Sequence, residues 1–135
     1  MHWRRMYEIN VLGTLRVTKA VLPSMLERDG GRFVVVSSLV GYVATPYRSS
    51  YSAAKHALHG FFEALRAELY DRGIRVTMIC PGFVKTRVSI NALTGDGSPL
   101  GTMDDAQAGG MSADECARRI VRAIEQGKDE VLIGG

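Results

Sequence analysis

Four polar residues of this sequence have types and spacings that together could move a proton and hold an oxygen: Asn10, Ser38, Tyr51 and Lys55. Tyr51 and Lys55 are four apart, so on a helix they share a face. An ammonium beside a phenol favours the phenolate. It brings a hydroxyl that ordinarily titrates near ~10 toward neutral pH, where it can work as a general acid or base. Ser38 offers a hydroxyl that can hold a substrate oxygen by hydrogen bond. Alone, Tyr-x-x-x-Lys is a weak signal, because in many helices the tyrosine packs and the lysine is solvated. The conjunction is more specific: Ser38 precedes Tyr51 by 13 residues, Asn10 precedes Ser38 by 28 within INVLG, and CPGFVKT ends the next apolar run.

These residues need elements to position them. From residue 3 to about 27, Met6, Ile9, Leu12, Leu15, Val21, Leu22 and Met25 recur at mixed three- and four-residue steps, which predicts a helix closed by Asp29-Gly30-Gly31. Residues 33–36 form a β-branched run without polar alternation, as expected of a parallel strand covered on both faces. Ser37 and Ser38 then emerge from its carboxyl end. A second helix is predicted over 49–71 with Tyr51, Ala54, Leu58, Phe62, Leu65 and Leu69 on one face, stopping at Gly73. A strand over 74–80 is broken by Pro81-Gly82, which would bare backbone groups for a ligand. Residues 87–111 show no sustained period and read as a long loop of the kind used as a lid. The capping box Ser112-x-x-Glu115 starts a helix over 113–126, and 130–133 gives a last strand. This order calls for an α/β fold, a doubly wound parallel sheet with right-handed crossovers. Active sites of such sheets lie at the carboxyl ends of the strands. Three strands are found where such sheets usually have five to seven.

Composition excludes other classes. The 135 residues fit one domain; 46% are hydrophobic and 23% charged, close to globular averages. The net charge of +3 is scattered, without the basic stripe and interleaved aromatics of a nucleic-acid surface. The longest apolar run, 33–36, is far short of the ~18 residues that cross a bilayer, and the first ten residues have no signal-peptide h-region. Two distant cysteines, Cys80 and Cys116, point to a reducing compartment, read as the cytoplasm.

The segments NVLG (10–13), VVVSSLVG (34–41), YSAAK (51–55) and PGFVKT (81–86) together resemble the catalytic half of the short-chain dehydrogenase/reductase family, and the likeness runs over nearly the whole chain. Within the family, residues 37–69 look closest to the hydroxysteroid-dehydrogenase-like and membrane-associated reductases. The resemblance implies the carboxyl-terminal part of a Rossmann fold and hydride transfer between NAD or NADP and a carbonyl or secondary alcohol. It makes Tyr51 the proton donor or acceptor and gives Ser38 the orientation of the substrate oxygen. Lys55 would bind the nicotinamide ribose and lower the tyrosine pKa, and Asn10 would hold the water of a proton relay. Pro81, Gly82, Val84 and Thr86 would line the nicotinamide. The family's Gly-rich T-G-x-x-x-G-x-G turn and N-A-G segment are absent from these residues, and Met1 matches the start of the family's long fifth helix. About half of a typical member is therefore expected to be missing on the amino side, any membrane anchor there included.

Three features are weighed against plainer roles. His56 and His59, three apart, lack a third ligand nearby in sequence, so no metal is expected. Ala53, Ala57, Gly60, Ala64 and Ala67 form a small-residue seam that reflects helix propensity, packing on the sheet, or, by the resemblance, a helix pairing in a homodimer or homotetramer. In the loop, Phe83, Val88, Leu93, Leu100 and Met103 either greet an apolar substrate or close over the core, and Asp104 and Asp105 are solvated. The leading expectation is an oxidoreductase acting on a small-molecule carbonyl or alcohol. The competing one is a non-catalytic dimerisation or regulatory module of the same descent.

Overall fold

The computed structural model describes residues 2–38, 49–82, 84–85 and 111–134. The chain runs α1 (His2–Tyr7), a π-helical turn (Glu8–Leu12), α2 (Gly13–Glu27), β1 (Gly31–Val36), α3 (Ser49–Leu69), a 3-10 turn (Tyr70–Arg72), β2 (Ile74–Pro81), β3 (Val84–Lys85), β4 (Met111–Ser112), α4 (Ala113–Glu125) and β5 (Glu130–Ile133). The order β1-β2-β5 is parallel throughout, with Gly31 opposite Ile74 and Met78 opposite Glu130. β3 and β4 form a separate parallel pair. The expected α/β fold is present.

Helices cover the sheet unequally. On one face Val35, Val76, Met78 and Cys80 pack with Leu58, Phe62 and Leu65 of α3. Burying a ring such as Phe62, 1% exposed, stabilises by about 1.5–3 kcal/mol. On the other face Ile79 and Ile133 meet Cys116 and Ala123 of α4. Since α4 packs over β2 and β5, the opposite face of β1 stays open: Val34 is 39% and Val36 56% exposed. The expectation of a strand covered on both faces therefore fails for β1.

The predicted first helix is a helix interrupted by a π turn. Ile9, Leu12 and Val21, counted in its apolar periodicity, are exposed, while among the described residues of this segment Val11, Thr18 and Met25 are buried. Gly13 closes the π turn with its N–H donating to Glu8 O, and a Cβ there would stand 3.2 Å from that oxygen. α2 closes in a Schellman arrangement: Gly30 N–H donates to Met25 O and Asp29 N–H to Leu26 O, with Asp29, not a glycine, left-handed at φ 49°.

Pro81 does not break β2, as the sequence suggested, but pairs with Ile133. Met78 N–H and Gly82 N–H both point to β5, donating to Asp129 O and Ile133 O, so the intervening residue 81 turns its nitrogen toward β1. The β1 pairing ends at Val36 opposite Ile79, and there a proline costs no ladder bond. Gly82 N–H is likewise engaged rather than bared. Met111 belongs to β4, which trims the predicted loop at its end. Ser112 caps α4 by accepting from Glu115 N–H at 3.2 Å, while the Glu115 carboxylate pairs with Arg118 and Arg119. Among the described residues no helix is long and apolar enough to cross a membrane.

Candidate active site

Tyr51 and Lys55 lie in the first two turns of α3, at the end of the helix nearest the carboxyl ends of β1 and β2. Lys55 is buried, 9% exposed, with its Nζ 5.4 Å from the centre of the Tyr51 ring. Burial pushes the Lys55 pKa down from its ordinary value. A lysine so placed gains by keeping an anion or ring face beside it, and that attraction acts equally on the phenolate.

Asn10 sits in the π turn, which packs against α3. Its Nδ2 donates to Met6 Sδ at 2.8 Å, and its carbonyl accepts from the Thr14 hydroxyl at 3.1 Å. π turns interrupt the regular helical ladder and are frequent at functional sites. Asn10 and Lys55 line one groove of about 550 Å³, whose other walls include Val17 and Val21 of α2, Phe33 to Val36 of β1 and Phe62 of α3. Two of the four expected residues thus share a cleft, and the Lys55–Tyr51 contact joins a third to it. Ser38, half-buried, follows the last residue of β1 by two.

Pro81 and Gly82 stand at the carboxyl end of β2, and the backbone of Val84 lies in β3. Thr86, Phe83 and the expected lid residues Val88, Leu93, Leu100, Met103, Asp104 and Asp105 lie outside the described residues. Four of the five seam residues face away from the sheet: Ala53, Gly60, Ala64 and Ala67 are exposed and Ala57 is half-buried, and a Cβ on Gly60 would meet nothing within 4 Å. These four do not serve packing on the sheet.

Sequence reasoning missed a buried polar group beside these residues. His59, 5% exposed, places Nε2 2.8 Å from Ser37 Oγ and 3.8 Å from Cys80 Sγ. Burial lowers the His59 pKa, Glu63 raises it in part, and His56 and Lys55 lower it further. Burial pushes the Cys80 thiol up to about 11. The sequence held a signal for this: residues 51, 55 and 59 recur every four positions and form one stripe of the helix. His56 is exposed and turned to its own helix, with Nδ1 2.7 Å from Ser52 O, so the two histidines do not converge. His59, Cys80 and Glu130 do bring ligand-type atoms within 4.8 Å of one another. Ser37 already occupies the histidine Nε2 and the thiol is held protonated, so we read the cluster as a hydrogen-bonded one.

A family model described as short chain dehydrogenase matches residues 1–96. The chain is similar to the mouse (Mus musculus) Dehydrogenase/reductase SDR family member 7B, 46% identical over 130 residues that cover 96% of this chain and 40% of the relative. It is similar also to the Drosophila melanogaster Dehydrogenase/reductase SDR family protein 7-like, 42% identical over 125 residues, 93% of this chain and 38% of that protein. A short chain dehydrogenase from Burkholderia cenocepacia, solved in complex with NADP, superposes with a TM-score of 0.78 at 30% identity over 98% of this chain and 50% of that one. One from Streptomyces avermitilis gives 0.78 at 28% identity over 98% and 52%. The chain spans about 40% of the length of the curated relatives it matches.

Proposed function

Because the chain belongs to the short-chain dehydrogenase family, we propose that it supplies the catalytic residues of an oxidoreductase that interconverts a carbonyl and a secondary alcohol with NAD or NADP. The observation that carries this reading is the buried Lys55 with its amine over the Tyr51 ring, in a cleft that Asn10 also lines.

In this reading the Tyr51 hydroxyl gives or takes the proton of the substrate oxygen, and Ser38 Oγ holds that oxygen by hydrogen bond. Lys55 favours the phenolate electrostatically and hydrogen-bonds the nicotinamide ribose. Asn10 holds a water that passes the proton outward. Pro81, Gly82, Val84 and Thr86 line the nicotinamide. The Gly82 N–H is engaged by Ile133 O and would not be free for the cofactor. The dinucleotide, when bound, supplies or accepts the hydride. A buried amine beside a phenol fits the ribose end of such a cofactor; the pyrophosphate end requires a Gly-rich turn that these residues do not contain. Residues 87–111 are proposed to close over the substrate as a lid, in a single domain. The exposed seam on α3 is proposed to pair subunits, and sedimentation of Ala64→Arg, expected to yield monomers, checks it.

The test is NADPH- or NADH-dependent turnover of aldehydes, ketones and secondary alcohols by the full-length polypeptide that carries these residues, whether this chain or a longer one. Turnover that vanishes in Tyr51→Phe supports the reading, and its absence with every substrate class and both cofactors refutes it. No observation in the structure favours the non-catalytic module.

A further inference from the structure

We infer that His59 is a positioning residue: through Ser37 and Cys80 it pins the carboxyl ends of β1 and β2 to α3 and so fixes Ser38 relative to Tyr51 and Lys55. This rests on the proposed function for its catalytic meaning, though not for its geometry.

His59 belongs to the inward face of α3, between Leu58 and Phe62 and against β2, among residues that otherwise build an apolar cluster. An imidazole there loses hydration that an aliphatic side chain of similar size would not, unless its nitrogens are bonded. For Nε2 that need is met by Ser37 Oγ at 2.8 Å, with Cys80 Sγ at 3.8 Å beside it.

Both partners stand next to residues of the proposed site. Ser37 immediately precedes Ser38 and is itself fixed by donation of its N–H to Ile79 O at 2.7 Å. Cys80 immediately precedes Pro81. His59 follows Lys55 by one helical turn and Tyr51 by two, so one stripe of α3 carries the proton donor, the ribose-binding amine and the pin.

The groups facing His59 keep it neutral. On α3 these are Lys55, His56 and Glu63, on β2 the Cys80 thiol, and on β5 Glu130. Burial, with His56 and Lys55 beside the ring, opposes a second proton, and Glu63 offsets this only in part. A neutral ring bonded to Ser37 is a fixed strut between helix and strand. With that strut removed, β1 and α3 still touch through Val35, Leu58 and Phe62, but apolar contacts do not define the position of Ser38 as a directional bond does.

The test uses His59→Leu, His59→Gln, Ser37→Ala and the double Ser37→Ala/His59→Leu variant of the full-length polypeptide. His59→Leu and Ser37→Ala are expected to lower kcat about 10- to 100-fold, the scale of a misplaced catalytic group. KM for carbonyl and nicotinamide should stay within about twofold of the parent, because the loss falls on the reacting geometry. The double variant is expected to be no slower than His59→Leu alone, since both changes break one bond. His59→Gln, whose terminal amide can reach Ser37, is expected to recover most of kcat.

Unchanged kcat in Ser37→Ala, which removes a single oxygen and keeps the fold even if His59→Leu does not, overturns the inference. Losses that multiply in the double variant overturn it too. If the parent turns over no carbonyl, the proposed function fails by itself. The pin is then decided by amide resonances of Ser38 and Lys55 in Ser37→Ala: displacement of both sustains it, and unmoved signals overturn it.

Discussion

Lys55 is a residue whose position makes sense only through its neighbours. A lysine amine withdrawn from water prefers to lose its proton, and the downward push on its pKa expresses that cost. The Tyr51 ring, 5.4 Å away, is what the structure offers in return, and the attraction works both ways. Tyr51→Phe keeps the ring and removes only the proposed proton carrier, so the reaction should slow by the ~10² to 10⁴ that general acid–base catalysis supplies, with cofactor affinity nearly kept. Steady-state kinetics of the full-length polypeptide check this, and near-normal turnover would refute the mechanism. Cys80 gives a second, pH-dependent expectation. Its folded pKa of about 11 lies above the ordinary thiol value of 9.0, so the folded state holds its proton more tightly than the unfolded chain. The stability this contributes is present below pH 9.0 and is lost as pH rises toward 11. Thermal unfolding followed across that range should show a falling midpoint, less steep in Cys80→Ala. Iodoacetamide should also alkylate Cys80 slowly in the folded protein and rapidly after denaturation.

Elements were legible in the sequence where one local signal decided them. Ser112 before a helical run announced the start of α4, and its hydroxyl does accept from Glu115 N–H. Gly73 announced the end of α3, and it takes φ 78°, where an added Cβ would collide with the Asp29 carbonyl. Gly73→Ala should therefore cost at least about 1 kcal/mol from the left-handed backbone alone. Urea denaturation measures it, and an unchanged midpoint would mean the turn adapts. Other elements depended on what lies across the chain. The π turn hid in the mixed three- and four-residue steps of the first helix, because one extra residue rotates a helical stripe without erasing it. Pro81 was read as a break because the sequence does not disclose which way its nitrogen faces. Asn10, Ser38, Tyr51 and Lys55 were singled out by spacing, and the structure brings Asn10 and Lys55 to one cleft. His59 was readable as a helical residue but not as a partner of Ser37, since that bond joins residues 22 apart in sequence.

In the proposed reading, the molecule as a whole holds the proton-transfer side of a dinucleotide enzyme, on a sheet that is open along β1 among the described residues. Lys55 and Tyr51 can address a ribose and a carbonyl, but tight dinucleotide binding draws on a row of backbone N–H groups facing the pyrophosphate at a helix N-terminus. The sequence contains no Gly-rich turn that could build such a row, and the N–H of Gly82 is spent on Ile133. The remaining ribose and nicotinamide contacts would have to offset the whole loss of translational and rotational freedom, which alone costs about 4–15 kcal/mol. Residues 1–135 prepared alone should therefore bind NADPH and NADH with a Kd weaker than about 1 mM, less than about 4 kcal/mol of binding free energy. The open strand adds a physical consequence. β1 pairs only with β2 among the described residues, and Val34 and Val36 are exposed, so this edge can recruit strands of other molecules. Isolated chain should self-associate with rising concentration, and a charged substitution at Val36 should reduce that without disturbing Val35 in the core. Calorimetric titration of monodisperse protein decides the main point: a micromolar Kd for either nucleotide would show that the groove beside Lys55 binds dinucleotide without a phosphate cradle.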